Sequence, residues 1–167
     1  MPSQAEGLAL CQYARASIRA ALGGPDAVPP QNPAFDKDGA CFVTLYRDGE
    51  LHGCIGSLEA HQPLLADVAE NAVAAALRDP RAMPIGLGDE QQFRVEVSLL
   101  SPLVRLPVKN RAEAIAALRP HKDGVLLRYH GRRGTFLPQV WDELPGPREF
   151  WRHLLRKAGL PTDFDSP

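Results

Sequence analysis

The sequence predicts an α+β protein with a mostly antiparallel sheet and packed helices. Two short strand-like segments, 42–46 and 51–55, flank the turn residues Asp48 and Gly49, which is typical of a tight β-hairpin. A third segment, 93–99, alternates apolar and polar residues as a half-buried strand does. Helical segments lie between these strands without the regular alternation of a parallel α/β fold, so an antiparallel sheet is expected.

The helices are predicted from apolar spacing and from the residues that begin and end them. A first helix follows the candidate N-cap Ser3 and ends at Gly23, and the proline-rich segment 28–33 leads to the hairpin. An alanine-rich helix spans 63–77 and ends before Asp79. The last third is expected to contain a helix over 111–118, a hairpin over 125–129 and 134–137, and a helix over 147–158.

Length and composition predict a single domain over residues 1–167. A formal net charge of -1 lacks the excess that bulk binding to nucleic acid or to a membrane surface needs. The start does not resemble a signal peptide, no apolar stretch approaches the roughly 20 residues of a membrane helix, and three cysteines without CxxC spacing argue against a disulfide framework. We therefore expect a cytoplasmic protein without a membrane partner, with nucleic acid disfavoured.

The run 51–56, with the sequence LHGCIG, is the most informative feature of the chain. Glycines inside a strand usually mark a bend, a bulge or a close backbone approach, and here they lie on both sides of Cys54. That arrangement would leave the Cys54 sulfur open to a reacting or bound molecule. The alternative is that Cys54 is a small buried hydrophobe and that the glycines allow tight packing.

His52 is expected to share a strand face with Cys54, because alternate residues of a strand point to the same side. With a two-residue turn, Leu45 would lie opposite His52, and Val43 would lie opposite Cys54. A nearby histidine can lower a thiol pKa and so favour the reactive thiolate. A metal held by His52, Cys54 and His61 matches no established zinc spacing, so no metal is predicted. No nucleotide-binding glycine motif is present either, and no cofactor is expected.

Five motifs in order resemble those of the AMMECR domain family, whose bacterial members are called AmmeMemoRadiSam system protein A. The resemblance covers nearly the whole chain. Its motifs are LHGCIG at 51–56, NA and AA at 71–76, DPR at 79–81, VEVSLLSP at 95–102, and FLPQVW at 136–141 with matching residues from Phe150 to Leu160. The chain departs from the family pattern at His52, where the family has arginine, and at Ala82, where an aromatic residue is usual.

The resemblance implies a compact, two-lobed α+β domain and two partners, a Memo-like protein and a radical S-adenosylmethionine enzyme. Polar residues inside the matched motifs are site candidates: Cys54, His52 and Glu96 as catalytic groups, and Asn71, Arg81 and Gln139 as substrate-binding groups. If the motifs mark one site, these side chains should converge on Cys54. Each also has a structural alternative, such as a helix-end cap or salt bridge for Arg81 and a solvated strand face for Glu96.

Three functional hypotheses follow. The first is an enzyme or enzyme subunit that uses Cys54 within the two-partner system. The second is a non-catalytic adaptor or carrier, in which the strand around Cys54 is a docking edge or a covalent attachment point. The third, nucleic-acid binding, depends on the locally basic C-terminal third, which lacks regularly interleaved aromatic residues for stacking.

Overall fold

The computed structural model describes residues 2–165, which fall into two compact units that divide after Leu103. The N-terminal unit contains α1 (Gln4–Ala21), β1 (Ala40–Arg47), β2 (Glu50–Gly56), α2 (Leu64–Leu77) and β3 (Arg94–Leu100). The C-terminal unit contains α3 (Arg111–Ala117), β4 (Val125–Tyr129), β5 (Arg132–Phe136) and α4 (Pro147–Lys157). All strand pairs in both units are antiparallel, so the predicted α+β class is confirmed.

The first helix begins where its capping residues predict. The Ser3 hydroxyl accepts a hydrogen bond from the Glu6 N–H, and the Glu6 carboxylate accepts one from the Ser3 N–H at 2.7 Å. This reciprocal capping box satisfies backbone donors that a helix start otherwise leaves unpaired. None of the helices within residues 2–165 is long and apolar enough to cross a membrane.

The N-terminal unit packs α1 and α2 against one face of a three-stranded sheet with the order β2-β1-β3. The β1 side chains Cys41, Val43 and Leu45 are fully buried on that face. Phe93 and Val95 are also buried there, and Val97 and Leu99 pack against the same core, as the alternation of the third strand predicts. The intervening residues of each strand therefore point to the opposite face.

The hairpin turn forms as predicted, but the register beyond it was wrong. Asp48 and Gly49 both have positive φ, 53° and 83°, as the two central residues of a type I′ turn require. Tyr46 then pairs with Leu51, but Leu45 pairs with Gly53, so His52 is an extra residue in a β-bulge. As a result, Cys54 lies opposite Thr44 and not Val43, and His52 has no direct partner in place of the expected Leu45.

Both glycines of the LHGCIG run are required by close contacts. A Cβ on Gly53 would lie 2.2 Å from the Ala75 carbonyl oxygen of α2. A Cβ on Gly56 would lie 2.3 Å from the Phe42 ring. The first contact is with helix backbone, which cannot rotate away as a side chain can. The interpretation that the two glycines allow tight packing is therefore correct. It holds for either role of Cys54.

The C-terminal unit is built around a stacked aromatic pair. Trp141 and Phe150 are fully buried, with ring centroids 3.7 Å apart and nearly parallel planes. The Trp141 Nε1–H donates to the Asp123 carbonyl at 2.7 Å, which satisfies the buried indole. The β4–β5 hairpin turns at His130 and Gly131, both with positive φ, where the sequence places a second hairpin.

Candidate functional site

The main chain of Cys54 is held by two side chains that follow α2. One Asp79 carboxylate oxygen accepts the Cys54 N–H at 2.9 Å, and the Arg81 guanidinium donates to the Cys54 carbonyl at 3.0 Å. Arg81 also donates twice to the Asp79 carboxylate, at 2.9 and 2.7 Å. We call Asp79 and Arg81 the Cys54 clamp. Because β2 is an edge strand, these two bonds occupy main-chain groups that no neighbouring strand pairs.

The Cys54 clamp is a charged pair that is buried at one end and exposed at the other. The Asp79 side chain is almost fully buried, whereas the Arg81 side chain is 62% exposed. Hydrogen bonds from Arg81 hold the pKa of Asp79 well below its usual range, despite the opposing effect of burial. Asp79 in turn raises the pKa of Arg81. A pair that is ionised at neutral pH therefore lies against the Cys54 main chain, with its positive end exposed.

The Cys54 side chain belongs to a polar row across the sheet face opposite the helices. Thr44 is the cross-strand partner of both Cys54 and Glu96, so the three residues lie side by side on β2, β1 and β3. The Thr44 hydroxyl donates to the Cys54 sulfur at 3.2 Å. Strands lie about 4.8 Å apart, so the Cys54 and Glu96 Cα atoms are about 10 Å apart. We call these residues the Cys54 row.

A second polar group borders the Cys54 row. The Arg94 guanidinium lies 4.4 Å from the centre of the Tyr46 ring and forms an ion pair with Glu96 at 3.0 Å. Burial, followed by the neighbouring Glu96 carboxylate, raises the pKa of Tyr46, which keeps its hydroxyl protonated as a donor. The Arg94 and Glu96 side chains are 62% and 48% exposed. The face around Cys54 therefore offers hydroxyl donors, a carboxylate and two guanidinium groups.

Asn71 lies in a different, largely buried network. Its amide nitrogen donates to the Cys41 carbonyl at 3.2 Å and to the Asp67 carboxylate at 3.0 Å. The Asp67 carboxylate also accepts the Cys41 N–H at 2.9 Å and the Ser57 hydroxyl at 2.6 Å. We call Asp67 and Asn71 the Cys41 clamp. Asn71 is only 6% exposed, and its hydrogen bonds hold the main chain of β1 in place.

His52 lies on the helix side of the sheet, away from the Cys54 row. Its ring packs edge-on against the buried Phe93, with centroids 4.6 Å apart, and its Nε2 is buried without a hydrogen-bond partner among the described residues. Cys54 points to the other face, where Thr44 contacts its sulfur. The expectation that His52 and Cys54 share a face was wrong, because the bulge shifts the alternation by one residue.

The two remaining candidates, His61 and Gln139, lie outside β2. His61 is exposed, and its Nδ1 lies 3.2 Å from the Glu59 carbonyl oxygen. Gln139 is exposed on a short 3-10 helix, Pro138–Asp142, of the C-terminal unit. Within residues 2–165, no three histidine, cysteine, aspartate or glutamate side chains are placed to hold a metal ion. Of the predicted set, Arg81 contacts Cys54 directly and Glu96 shares its row.

Sequence reasoning missed Thr44, Tyr46, Asp67 and Asp79 as members of these networks. A usable signal existed for Asp67, since it lies four residues before Asn71 on the same stripe of α2 as the buried Leu64 and Val68. A carboxylate on an apolar helix face must find buried donors. No comparable signal existed for Thr44, because its cross-strand neighbours Cys54 and Glu96 are set by the strand register, which the sequence does not determine.

The three cysteines differ in exposure. Cys54 is partly exposed, as expected, and Cys11 is partly exposed as well, whereas Cys41 is fully buried. Burial, with Asp67 nearby, raises the pKa of Cys41 to about 12, and burial also raises the pKa of Cys11. The sequence did not identify Cys41 as the inert buried thiol.

Comparison with known proteins places the chain in a family. The family model described as AMMECR1 matches residues 11–166. Protein MJ0810 of Methanocaldococcus jannaschii is 39% identical over 166 residues, covering 95% of this chain and 81% of the relative. A Thermotoga maritima protein is 37% identical over 139 residues, which cover 82% of this chain and 75% of that relative. The crystal structure of protein PH0010 from Pyrococcus horikoshii matches with a TM-score of 0.84 at 31% sequence identity. The match covers 96% of this chain and 83% of the PH0010 chain. The chain belongs to the AMMECR1 family.

Proposed function

We propose that this protein is a cytoplasmic enzyme or enzyme subunit that uses Cys54, and that it acts with a Memo-like protein and a radical S-adenosylmethionine enzyme. The observation that carries the proposal is the combination of a fixed main chain and a partly exposed thiol at Cys54. A nucleophile must be held in one position relative to its substrate, and the Cys54 clamp supplies that rigidity. The two partners come from the family resemblance.

The Cys54 row supplies the groups that covalent catalysis by a thiol uses. The Thr44 hydroxyl donates to the sulfur and so holds the Cys54 side chain in one orientation. Glu96 is the carboxylate of the row and is the proposed general base for a bound substrate. Arg81 and Arg94 are placed to attract an anionic substrate. His52 has no part in this proposal, because its ring lies behind the sheet.

Of the two forms of the adaptor hypothesis, docking through the β2 edge is disfavoured and covalent attachment at Cys54 is retained. A docking edge needs free main-chain groups on β2, yet the Cys54 N–H and carbonyl are already bonded to Asp79 and Arg81. Strand addition at Cys54 would have to displace a bidentate ion pair. A carrier that binds cargo covalently through the Cys54 sulfur remains compatible with the same geometry.

Reconstitution of the three proteins tests the proposal. Wild-type protein, Cys54→Ser and the control Cys11→Ser are each co-purified with the two partners, and Cys54 is then analysed by mass spectrometry. We expect all three forms to retain the partners, with turnover or a modified Cys54 lost only in Cys54→Ser. Loss of complex formation in Cys54→Ser alone would favour the adaptor. Full activity in Cys54→Ser would overturn any role for this thiol.

Thr44→Val separates catalysis from attachment. Valine keeps the shape of threonine and removes the hydroxyl that donates to the sulfur. An activated nucleophile should lose roughly tenfold in rate or more when that donor is removed. A passive attachment point should reach the same final extent of modification. An unchanged rate would show that Thr44 does not activate Cys54.

A further inference from the structure

One side of α4 carries a row of exposed arginines. Arg148, Arg152 and Arg156 follow one another at intervals of four residues, so they lie along one side of the helix with a rise of about 6 Å between neighbours. We call them the α4 arginines. Phe150 and Leu154 lie on the opposite side and are fully buried, so packing fixes the helix beneath this row.

The arrangement of the α4 arginines costs the helix stability. Like charges four residues apart repel one another on a helix surface, and this row contains two such pairs. Arg148 lies in the first turn, where the helix dipole disfavours a cation, and only Arg156 lies in the last turn, where the dipole favours one. Positions that break local rules of stability are typical of functional surfaces.

The α4 arginines have no partner among the described residues. None of the three guanidinium groups has a hydrogen bond or an ion pair within residues 2–165. By contrast, Arg119 of the same unit pairs with the Asp123 carboxylate at 2.7 Å. The α4 helix itself contains a single acidic residue, Glu149. The row is therefore available to an anionic ligand.

Positive charge is concentrated in the unit that contains α4. From Val104 onward the sequence contains twelve lysines and arginines and seven aspartates and glutamates, a formal excess of five positive charges. Residues 1–103 contain seven lysines and arginines and thirteen aspartates and glutamates, a formal excess of six negative charges. The net charge of -1 for the whole chain therefore averages two units of opposite sign, and a polyanion is attracted by the C-terminal unit alone.

The composition of this surface distinguishes between classes of anionic partner. The large apolar side chains exposed in the unit, Val104 and Leu106, precede α3 and do not lie on α4. A protein interface normally has an apolar or aromatic core from which charges are depleted. Single-stranded nucleic acid is bound by stacking on exposed aromatic side chains, and every phenylalanine, tyrosine and tryptophan of the unit is buried or half-buried. The phosphate backbone of a duplex requires neither feature.

We propose that the α4 arginines bind the phosphate backbone of duplex DNA. Eight residues of helix separate Arg148 from Arg156 by about 12 Å, and the major groove of B-DNA is also about 12 Å wide. The outer two arginines are therefore spaced to contact phosphates on both sides of the groove, with Arg152 between them. Duplex RNA has a narrow major groove and fits this spacing less well. The proposal is independent of Cys54 and of any enzymatic role.

Fluorescence anisotropy of a labelled DNA duplex of about 20 base pairs, two helical turns, tests the proposal. We expect the whole protein to bind this duplex with a Kd of roughly 100 µM or tighter at about 50 mM NaCl. Three phosphate contacts should give a slope of about -2.7 when log Kobs is plotted against log[salt]. An RNA duplex of the same sequence should bind several-fold more weakly because of its narrow groove.

Three variants locate the contact on α4. Arg152→Gln should weaken DNA binding about fivefold and reduce the magnitude of the salt slope by about 1. Its melting temperature should equal or exceed the wild-type value, because two repulsive pairs are removed. Glu149→Gln removes a negative charge beside the row and should bind DNA a few-fold more tightly. Arg119→Gln is the matched control, since it removes the same charge from the same unit outside α4, and it should change the Kd by less than about twofold.

Three results would overturn the proposal. The first is an anisotropy that does not change up to about 500 µM protein at low salt, well above the expected Kd. The second is equal weakening in Arg119→Gln and Arg152→Gln, which would show an attraction to the unit as a whole with no contact at α4. The third is tighter binding of the RNA duplex, or of poly-L-glutamate, than of the DNA duplex. That result would assign the row to RNA or to an acidic protein surface.

Discussion

The two clamps of the N-terminal unit hold their cysteines in the same way but with different chemistry. In each clamp, an aspartate carboxylate accepts the cysteine N–H, and a second side chain donates to the cysteine carbonyl. The donor is a neutral amide, Asn71, at Cys41 and a guanidinium, Arg81, at Cys54. The Cys41 clamp is closed off from solvent, whereas the Arg81 side chain of the other clamp is 62% exposed.

This difference separates a clamp that is closed off from solvent from one that reaches the surface. Asp67 is fully buried and accepts hydrogen bonds from four groups, so one carboxylate joins β1, the loop between β2 and α2, and α2 itself. Asp79 instead faces an arginine that reaches the surface beside a partly exposed thiol. Both clamps fix a backbone, but only the second leaves the side chain of its cysteine available for chemistry.

The largest expected effect is on stability, and it should differ between the clamps. Asp67→Ala leaves the Cys41 N–H buried without its acceptor, removes one acceptor of the Asn71 amide, and should lower the free energy of unfolding by about 3–5 kcal/mol. Asp79→Ala should cost about 1–3 kcal/mol, because Arg81 can be hydrated. Urea denaturation measures both.

The exposed Asp26 provides the control for this comparison. It lies in the connector after α1, so Asp26→Ala should change stability by less than about 0.5 kcal/mol. Equal losses for Asp67→Ala and Asp79→Ala would mean that the two clamps contribute alike and that exposure does not distinguish them.

The next effect is on thiol reactivity. Native protein treated with iodoacetamide should be alkylated at Cys54 first, then at Cys11, with Cys41 modified at least a hundredfold more slowly. A pKa of about 12 leaves roughly one Cys41 thiolate in ten thousand at pH 8, and burial blocks the reagent as well. Peptide mass spectrometry over time gives the three rates.

The order of alkylation bears directly on the proposed function. Urea-unfolded protein is the control, since its three thiols should react at similar rates. If Cys41 or Cys11 reacted before Cys54 in the native protein, the partly exposed position of Cys54 would not make it the reactive thiol.

The sequence predicted those parts of the fold that local rules determine. The Ser3 cap, the Asp48–Gly49 turn and the alternating third strand each depend on residues that are neighbours in the chain. The bulge at His52 was not predictable in this way, because the apolar pattern of β2 is compatible with either register. Only its pairing with β1 and the contact of Gly53 with α2 decide between them.

The site was harder to predict than the fold, because its members meet only after folding. Arg81 and Cys54 lie in separate motifs 27 residues apart, and nothing local shows that a guanidinium reaches the Cys54 carbonyl. Asn71, like Arg81, lies inside a motif that matches the family, yet its side chain bonds to the buried Cys41. A shared family motif therefore marks residues that matter without showing whether they bind a substrate or hold a strand.

The smallest expected effect is the acid dependence of the Cys54 clamp. Hydrogen bonds from Arg81 depress the folded-state pKa of Asp79, so the associated stability is fully present above the unfolded value of about 3.9 and is lost as the pH falls toward the folded value. Arg81→Gln removes the main cause of that depression. We expect the loss of stability between about pH 5 and pH 2.5 to be roughly 1 kcal/mol smaller in Arg81→Gln than in wild type, since solvent screens the exposed guanidinium. The neighbouring exposed Arg78 serves as the control, because Arg78→Gln should keep the wild-type slope. Urea unfolding at four or so pH values in this window measures the slopes, and parallel wild-type and Arg81→Gln curves would show that the ion pair behind Cys54 does not stabilise the fold.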